Sequence, residues 1–359
     1  MPPTLQEAKN RLDEIIQKGR LDFYKPIQIA EVLNRLRLDS TLDVNNITSY
    51  RNPSIHWRDE ITVRFTGKKS TSSARYQHDV WNPTAMSPEF LSVLDGENER
   101  LGGVVERYIY RIYFARQHTI GQIIDYIENT SSQEFELRKL LDFFISDKGL
   151  RRSIDKAYEI VSYSLFETVV VALNAIIKLD VPEDRKILLN EFPDLAKVLL
   201  GLDKDQLTIQ TTAHVYRVGV TNAADRGLDM WTNFGIAIQV KHLTLNNELA
   251  VSIIDQIESD NIVIVCTDAD AQPIEAITRQ IGWGKRVRGI IKESDLIDWY
   301  EKCLRGRFAN DLTKPLKAQL LFSFRKEFPQ TRSFLLNDFF EERNYSGLPE
   351  YDFWSFDQD

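Results

Sequence analysis

One stretch constrains this chain more than any other: Val218 to His242, reading VGVTNAADRGLDMWTNFGIAIQVKH. Its pattern predicts a turn, a short strand carrying Asp229, a tight reversal at Asn233-Phe234-Gly235 and a second strand through Gln239-Val240-Lys241. The two strands would pair as a hairpin. Successive side chains on a strand point to opposite faces, so Gln239 and Lys241 project together while Val240 turns into the core. Asp229 then joins an amide and an ammonium around one small volume. That set suits a hard divalent cation and a phosphate.

The flanking pattern predicts a mixed α/β core. Val215 to Val220 reads as a strand before the hairpin, and Asn246 to Glu258 as an asparagine-capped helix after it. Ile262 to Cys266 is an unbroken apolar run, as expected of a parallel strand buried on both faces. Helix Pro273 to Ile281, strand Val287 to Ile291 and a helix from Glu293 with Ser294 as its cap complete the order. A long apolar helix, 153–178, precedes the sheet, and Pro182 and Pro193 punctuate a connection reaching about residue 207. Helix, three strands, helix, strand, helix, strand, helix is the order of a mixed sheet flanked by helices.

The first 150 residues read as mainly helical. Leu5, Ala8, Leu12, Ile15 and Ile16 keep a helical period closed by Gly19, and Ile29, Val32, Leu33 and Leu36 share a face of a helix opened by Pro26. Within 98–145, Tyr108, Ile109, Ile112 and Tyr113 form a stripe expected in a core or a dimer contact. The expected division is 1–150, 151–310 and a helical, aromatic extension at 311–359. At 359 residues the chain is long enough for two or three domains.

Charge narrows the partners. A net charge of −8 argues against a protein that coats nucleic acid indiscriminately, so the location of the positive charge matters more than the total. The most basic window is 51–75, with six basic residues against two acidic. Around Lys68 and Lys69 it places the small hydroxyl residues Ser70, Thr71, Ser72 and Ser73, which can approach a phosphate backbone closely. Arg75 and Gln77 could reach guanine or adenine edges, and Arg51 and Arg58 add charge. These ten residues are the candidate contacts to double-stranded DNA, which makes 1–150 the expected recognition region; a solvated surface loop is the plainer reading of the same window. No apolar run approaches a membrane span, the N-terminus is unlike a targeting peptide, and Cys266 and Cys303 form neither a disulfide framework nor a metal-ligand spacing. A reduced, cytoplasmic protein without a membrane partner is the expectation.

Phosphodiester hydrolysis needs an activated water and neutralised charge at the scissile phosphate. Mg²⁺ takes oxygen ligands and keeps several waters, so one or two carboxylates can hold it. Asp229 is the candidate bridging ligand, with the Gln239 amide oxygen and the Val240 main-chain carbonyl beside it. Lys241 would orient and acidify the water and offset charge in the transition state. An aspartate in a turn and a solvated lysine would satisfy the same letters, since D-x9-Q-x-K alone recurs by chance.

Its setting carries more weight. A Gly-Leu-Asp strand, a reversal, an Ile-Ala-Ile lead-in, then helix and buried strand resembles the PD-(D/E)XK nucleases, in the variant with glutamine for the acidic residue. DRGLDMWTNFGIAIQVKHLTL, the IVIVC strand, and YKPIQIAEVL through WRDEITVRFTGKKSTSSARYQ further resemble type II restriction endonucleases of the HaeII kind. The resemblance spans most of the chain to about residue 310. It implies a PD-(D/E)XK core, Mg²⁺-dependent cleavage of both strands at a short palindrome by a homodimer, and, for close kin, a GCGC-centred site. It also implies that a helix before the sheet supplies a further acid, because neutral Gln239 leaves the metal short of charge. Glu167 is the candidate catalytic and metal-binding residue, with Glu159 as its substitute. Asp225 and Arg226 could touch phosphate or form the turn, and His242 is expected in the core. A modification-dependent or structure-specific nuclease of the same fold, and a DNA-binding protein whose metal site has decayed, remain open alternatives.

Overall fold

A computed structural model describes residues 2–19, 23–39, 41–67, 69, 80–147, 149–218, 228–270, 273, 286–328, 330–331 and 333–356. The chain divides into two compact units, Met1–Ala157 with Leu321–Asp359, and Tyr158–Leu320.

The first unit is helical. Helix α1 (Leu5–Lys18) starts at a capping box, Thr4 accepting from the Glu7 N–H while the Glu7 carboxylate accepts from that of Thr4, and buries Ala8, Leu12, Ile15 and Ile16. It is followed by α2 (Tyr24–Leu38), α3 (Ile47–Tyr50), α4 (Pro53–Thr66), α5 (Pro88–Arg100), α6 (Val104–Asn129) and α7 (Leu137–Ser146). The Tyr108–Tyr113 stripe of α6 is core: Tyr113 stacks on Phe65, and Tyr110 meets Phe339 from the C-terminal part of the chain. Phe339, Tyr345 and Trp354 are all buried in this core.

Asp95 on α5 gives this unit a pH dependence. Partial burial, followed by the negative charge of Glu99 and Glu106, pushes its carboxyl up to about 6. A raised pKa means that the folded chain keeps a proton the unfolded chain releases near 4, so stability present at acid pH is lost as pH rises from about 4 to 6. Asp95→Asn should therefore raise the melting temperature at pH 7 and flatten its pH profile over that interval. Solvent screening of a half-exposed group reduces the gain to about 1 kcal/mol. Thermal unfolding at pH 4.5 and 7 measures both, and equal slopes for the two proteins would refute the assignment.

The second unit holds the sheet. Helix α8 (Ile154–Ala172) ends six residues before the expected limit, at residue 172 instead of 178. Past it Asn174 takes a left-handed conformation (φ 48°), and Ile176–Asp180 is a strand, β1. Isoleucine-rich sequence packs as readily in a strand as in a helix, and asparagine tolerates the turn that separates the two. Strand β1 pairs antiparallel with β2 (Thr208–Thr212). The expected connection between them holds two short helices, α9 (Lys186–Glu191) and α10 (Pro193–Leu200).

Five strands then form a mixed sheet in chain order: β3 (Val215–Arg217), β4 (Met230–Thr232), β5 (Ala237–Leu245), β6 (Ile262–Ala269) and β7 (Val287–Lys292). The first three run antiparallel, whereas β5, β6 and β7 are parallel. Thr232 to Ile236 make the reversal, with Gly235 at φ 87°, a conformation that costs glycine little. The parallel connection from β5 to β6 runs through α11 (Asn247–Gln256), capped by Asn246. Its Ala250, Ile253 and Ile254 pack on Ala237, Ile262, Ile264 and Cys266. The opposite face meets α8, where Tyr158 lies against His242 and its hydroxyl donates to the Cys266 carbonyl.

Helix α12 (Glu293–Arg305) follows β7, and its Tyr300 hydroxyl donates to the Val161 carbonyl of α8. Its cap differs from the expected Ser294: the Lys292 N–H donates to Asp295, and Ser294 sits inside the first turn. Helices α13 (Ala309–Glu327) and α14 (Ser333–Glu342) follow, and a 3-10 turn at Asp352–Trp354 comes after them. Most of the expected helix 273–281, and the end of the strand expected at 215–220, lie outside the described residues. No described helix is long and apolar enough to cross a membrane.

Candidate functional site

The site is built where β4 stops pairing with β5. Their register runs through Met230↔Ile238 and Trp231↔Ala237, and Asp229 lies one residue before the strand. Its main chain still continues the β3 ladder, accepting from the Val218 N–H at 2.9 Å. Its side chain does what a strand would have done: Asp229 Oδ2 accepts from the Val240 N–H at 2.8 Å. The same oxygen accepts from Gln239 Nε2 at 2.5 Å.

Alternation decides what else faces this gap. The Ala237 N–H donates to Asn261 on the β6 side, so odd-numbered residues of β5 turn their main-chain groups toward β6. Even-numbered residues turn theirs toward β4, and a residue's N–H and C=O face the same neighbour. The Val240 carbonyl therefore faces the gap with its N–H. Gln239 and Lys241 share the other alternation, projecting from one face of β5 opposite Ile264 and Cys266. Gln239 is only 2% exposed, while Lys241 is partly exposed.

These groups can receive a hard cation. Asp229 contributes carboxylate oxygens, Val240 a carbonyl, and the Gln239 amide presents Oε1 in place of Nε2 after a half-turn about its last torsion. Oxygen-only donors with a single formal charge suit an ion that retains most of its water. Among the described residues no cluster of three or more histidine, cysteine, aspartate and glutamate side chains offers a denser site.

The two helix carboxylates have partners of their own. Glu167 on α8 meets the start of β3: His214 Nδ1 lies 2.8 Å from Oε1, and the Val215 N–H donates to Oε2 at 2.7 Å. Both of its oxygens thus meet this strand end. Glu159, two turns earlier, is buried and 3.6 Å from Arg217 Nε. Arg217 pairs with Met230, the neighbour of Asp229, but alternation puts it on the opposite face of the sheet. His242 is half-buried, its ring edge-on to that of Tyr158. Asp225 and Arg226 lie outside the described residues.

The basic window divides in the same way. Lys68, Ser70, Thr71, Ser72, Ser73, Arg75 and Gln77 lie outside the described residues, and Arg51 and Lys69 are exposed. Arg58 is corrected: α4 turns it inward, where it is 3% exposed, pairs with Asp59 at 2.8 Å and lies over the Tyr24 ring. A guanidinium so enclosed packs the helical unit and does not face DNA.

One feature of the site face went unread in the sequence. Tyr216 and Trp231 sit directly opposite each other on β3 and β4 and stack at 4.5 Å, with both rings exposed. Trp231 shares the alternation of Asp229, so the pair borders the cluster. Two aromatics at matched distances from the turn were the available signal.

The chain matches the family model of the HaeII restriction endonucleases over residues 8–345. It is 43% identical over 342 residues to the type II restriction enzyme HaeII of Haemophilus aegyptius, covering 95% of this chain and 97% of that one. It is 45% identical over 345 residues to the type II restriction enzyme NgoBI of Neisseria gonorrhoeae, with the same coverage. No solved structure matches. Near-complete coverage of two relatives and a family model across the whole sheet leave one assignment: the chain belongs to the HaeII restriction endonuclease family, a family of type II, site-specific DNA endonucleases.

Proposed function

We propose that this endonuclease hydrolyses both strands of DNA at a short palindrome, GCGC-centred by its resemblance to HaeII, with Mg²⁺ held in a PD-(D/E)XK-type centre by Asp229, Gln239 and the Val240 carbonyl. The observation that carries the reading is the double engagement of Asp229 Oδ2 by Gln239 and the Val240 N–H at the point where β4 and β5 part. A divalent cation bound there supplies an acidified water and neutralises charge at the scissile phosphate. The chain's own groups do the rest. The Val240 N–H fixes the carboxylate, so the donor set is organised before any ligand arrives. Lys241, projecting beside Gln239, orients the attacking water and offsets the negative charge that builds on the phosphorus oxygens. Glu167 holds the start of β3, the strand that neighbours β4. The basic segment around Lys68 to Gln77, with exposed Arg51 and Lys69, supplies phosphate and base contacts. Two copies, one for each strand, match the symmetry of a palindrome.

Incubating the protein with unmethylated phage DNA, with and without Mg²⁺, and sequencing the fragment ends tests the reading. Discrete fragments whose ends share one palindrome, abolished by chelation, are expected. Cutting confined to methylated DNA would replace it with a modification-dependent nuclease, and sequence-specific binding without cleavage in any divalent ion with a decayed site.

A further inference from the structure

We infer that α9 and α10 carry the surface through which two copies of this chain associate, an apolar patch packing against its own symmetry mate. The inference rests on the proposed cleavage of both strands and adds to it the partner's docking face. Six large side chains in this segment are more than half exposed: Ile187 (76%), Leu188 (57%), Phe192 (54%), Leu195 (55%), Val198 (82%) and Leu199 (70%). On α10, Leu195, Val198 and Leu199 follow an i, i+3, i+4 spacing, which puts them in one stripe. The other side of the segment buries only Leu189, Ala196 and Leu202, with Val181, Leu207 and Ile209 partly covered.

More apolar surface thus points outward than inward. A two-stranded sheet and helices of six and eight residues are below the size that is stable in water without further packing. Soluble monomers rarely leave contiguous apolar patches of this extent uncovered.

Three observations select a second copy as the cover. Side chains of this size and exposure present several hundred Å² between them, the scale of the roughly 800 Å² per partner that stable interfaces bury. Residues 176–202 hold four basic and five acidic side chains, so the surface lacks the positive charge that phosphate neutralisation requires, and DNA is not its occupant. Each chain also contributes one Asp229–Gln239–Lys241 cluster, whereas cutting two strands at a palindrome calls for two related by a two-fold axis. A two-fold axis brings identical patches together, and near-balanced charge lets the rim pair with itself.

Sedimentation velocity of the full chain and of a Val198→Glu, Leu199→Glu variant, over a roughly hundredfold dilution series, tests the inference. The wild type should sediment as a dimer and the variant as a monomer with an unchanged melting temperature, because the altered positions are exposed. On supercoiled plasmid the variant should accumulate nicked circles where the wild type yields linear product. Equal sedimentation of the two proteins would overturn the inference.

A Val198→Cys variant gives a second reading that does not depend on the double substitution. Cys266 and Cys303 are buried, so maleimide labelling reports the introduced thiol. Protection that grows with protein concentration is expected. Full reactivity at every concentration, or protection unaffected by dilution, which would mean that the same chain covers the patch, would overturn it. Neither measurement needs cleavage. A dimer broken by the substitutions in a protein that cuts no DNA would keep this inference and remove the nuclease reading; a monomeric wild type that cuts both strands would do the reverse.

Discussion

Lys241→Ala is expected to reduce DNA cleavage by about 10³-fold or more while leaving DNA affinity nearly unchanged. The size follows from what the ammonium does in the proposed mechanism. One preorganised charge aimed at a developing oxyanion is worth about 10²–10³ in rate, and loss of water orientation adds to that. Its share of binding is small, because one phosphate contact among several changes the salt slope by at most about one. Lys241 is partly exposed at the surface of β5, so its truncation leaves the Ala237–Ile262–Ile264 core intact. Single-turnover cleavage in Mg²⁺ and binding in Ca²⁺ separate the two quantities. A variant cutting within tenfold of wild type would remove Lys241 from the centre, and an equal loss of binding and rate would make it a phosphate anchor only. Lys241→Arg should recover little, since a planar fork cannot occupy the position of a compact ammonium.

The placement of Asp229, Gln239 and Lys241 was legible for a physical reason. Period-2 alternation is local, so the common face of Gln239 and Lys241 follows from their spacing alone, and the Asn-Phe-Gly reversal brings the Asp229 strand back beside them. The partners of the helix carboxylates were not legible, because both Glu159 and Glu167 lie on the same apolar helix and only tertiary contacts decide whom they meet. Glu167 meets a strand end whose His214 and Val215 lie 47 and 48 residues away. Arg58 illustrates the same limit. Its neighbours made the window basic, but the rotation of α4 turned this one cation toward Asp59 and Tyr24. Strand β1 was lost to an ambiguity of short apolar runs, which periodicity does not resolve when a long helix precedes them.

Glu106→Ala is expected to destabilise the helical unit by about 3–5 kcal/mol, the largest stability effect of any single change considered. Glu106 is completely buried on α6, where its carboxylate gathers four elements. It accepts from Asn34 Nδ2 at 2.8 Å and from Arg37 Nε at 2.9 Å on α2, from Asn98 Nδ2 at 2.7 Å on α5, and from the Tyr345 hydroxyl at 2.5 Å beyond α14. The carboxylate in turn raises the pKa of Arg37 through their hydrogen bond, while burial first, and the Glu106 charge second, hold Tyr345 protonated. Alanine leaves three buried donors and a guanidinium facing a void, and each unmade bond costs more than a made one contributes. Tyr345→Phe removes one donor and no charge, so it should cost only about 1 kcal/mol. Urea unfolding followed by tryptophan fluorescence reads this directly, because Trp81 and Trp354 are buried in the same core. A midpoint for Glu106→Ala no lower than that for Tyr345→Phe would mean that the charge does not hold the network together. A much lower one, with Asp95 less perturbed as the Glu106 charge disappears, would show that this carboxylate couples α2, α5 and α6 to the C-terminal segment of the chain.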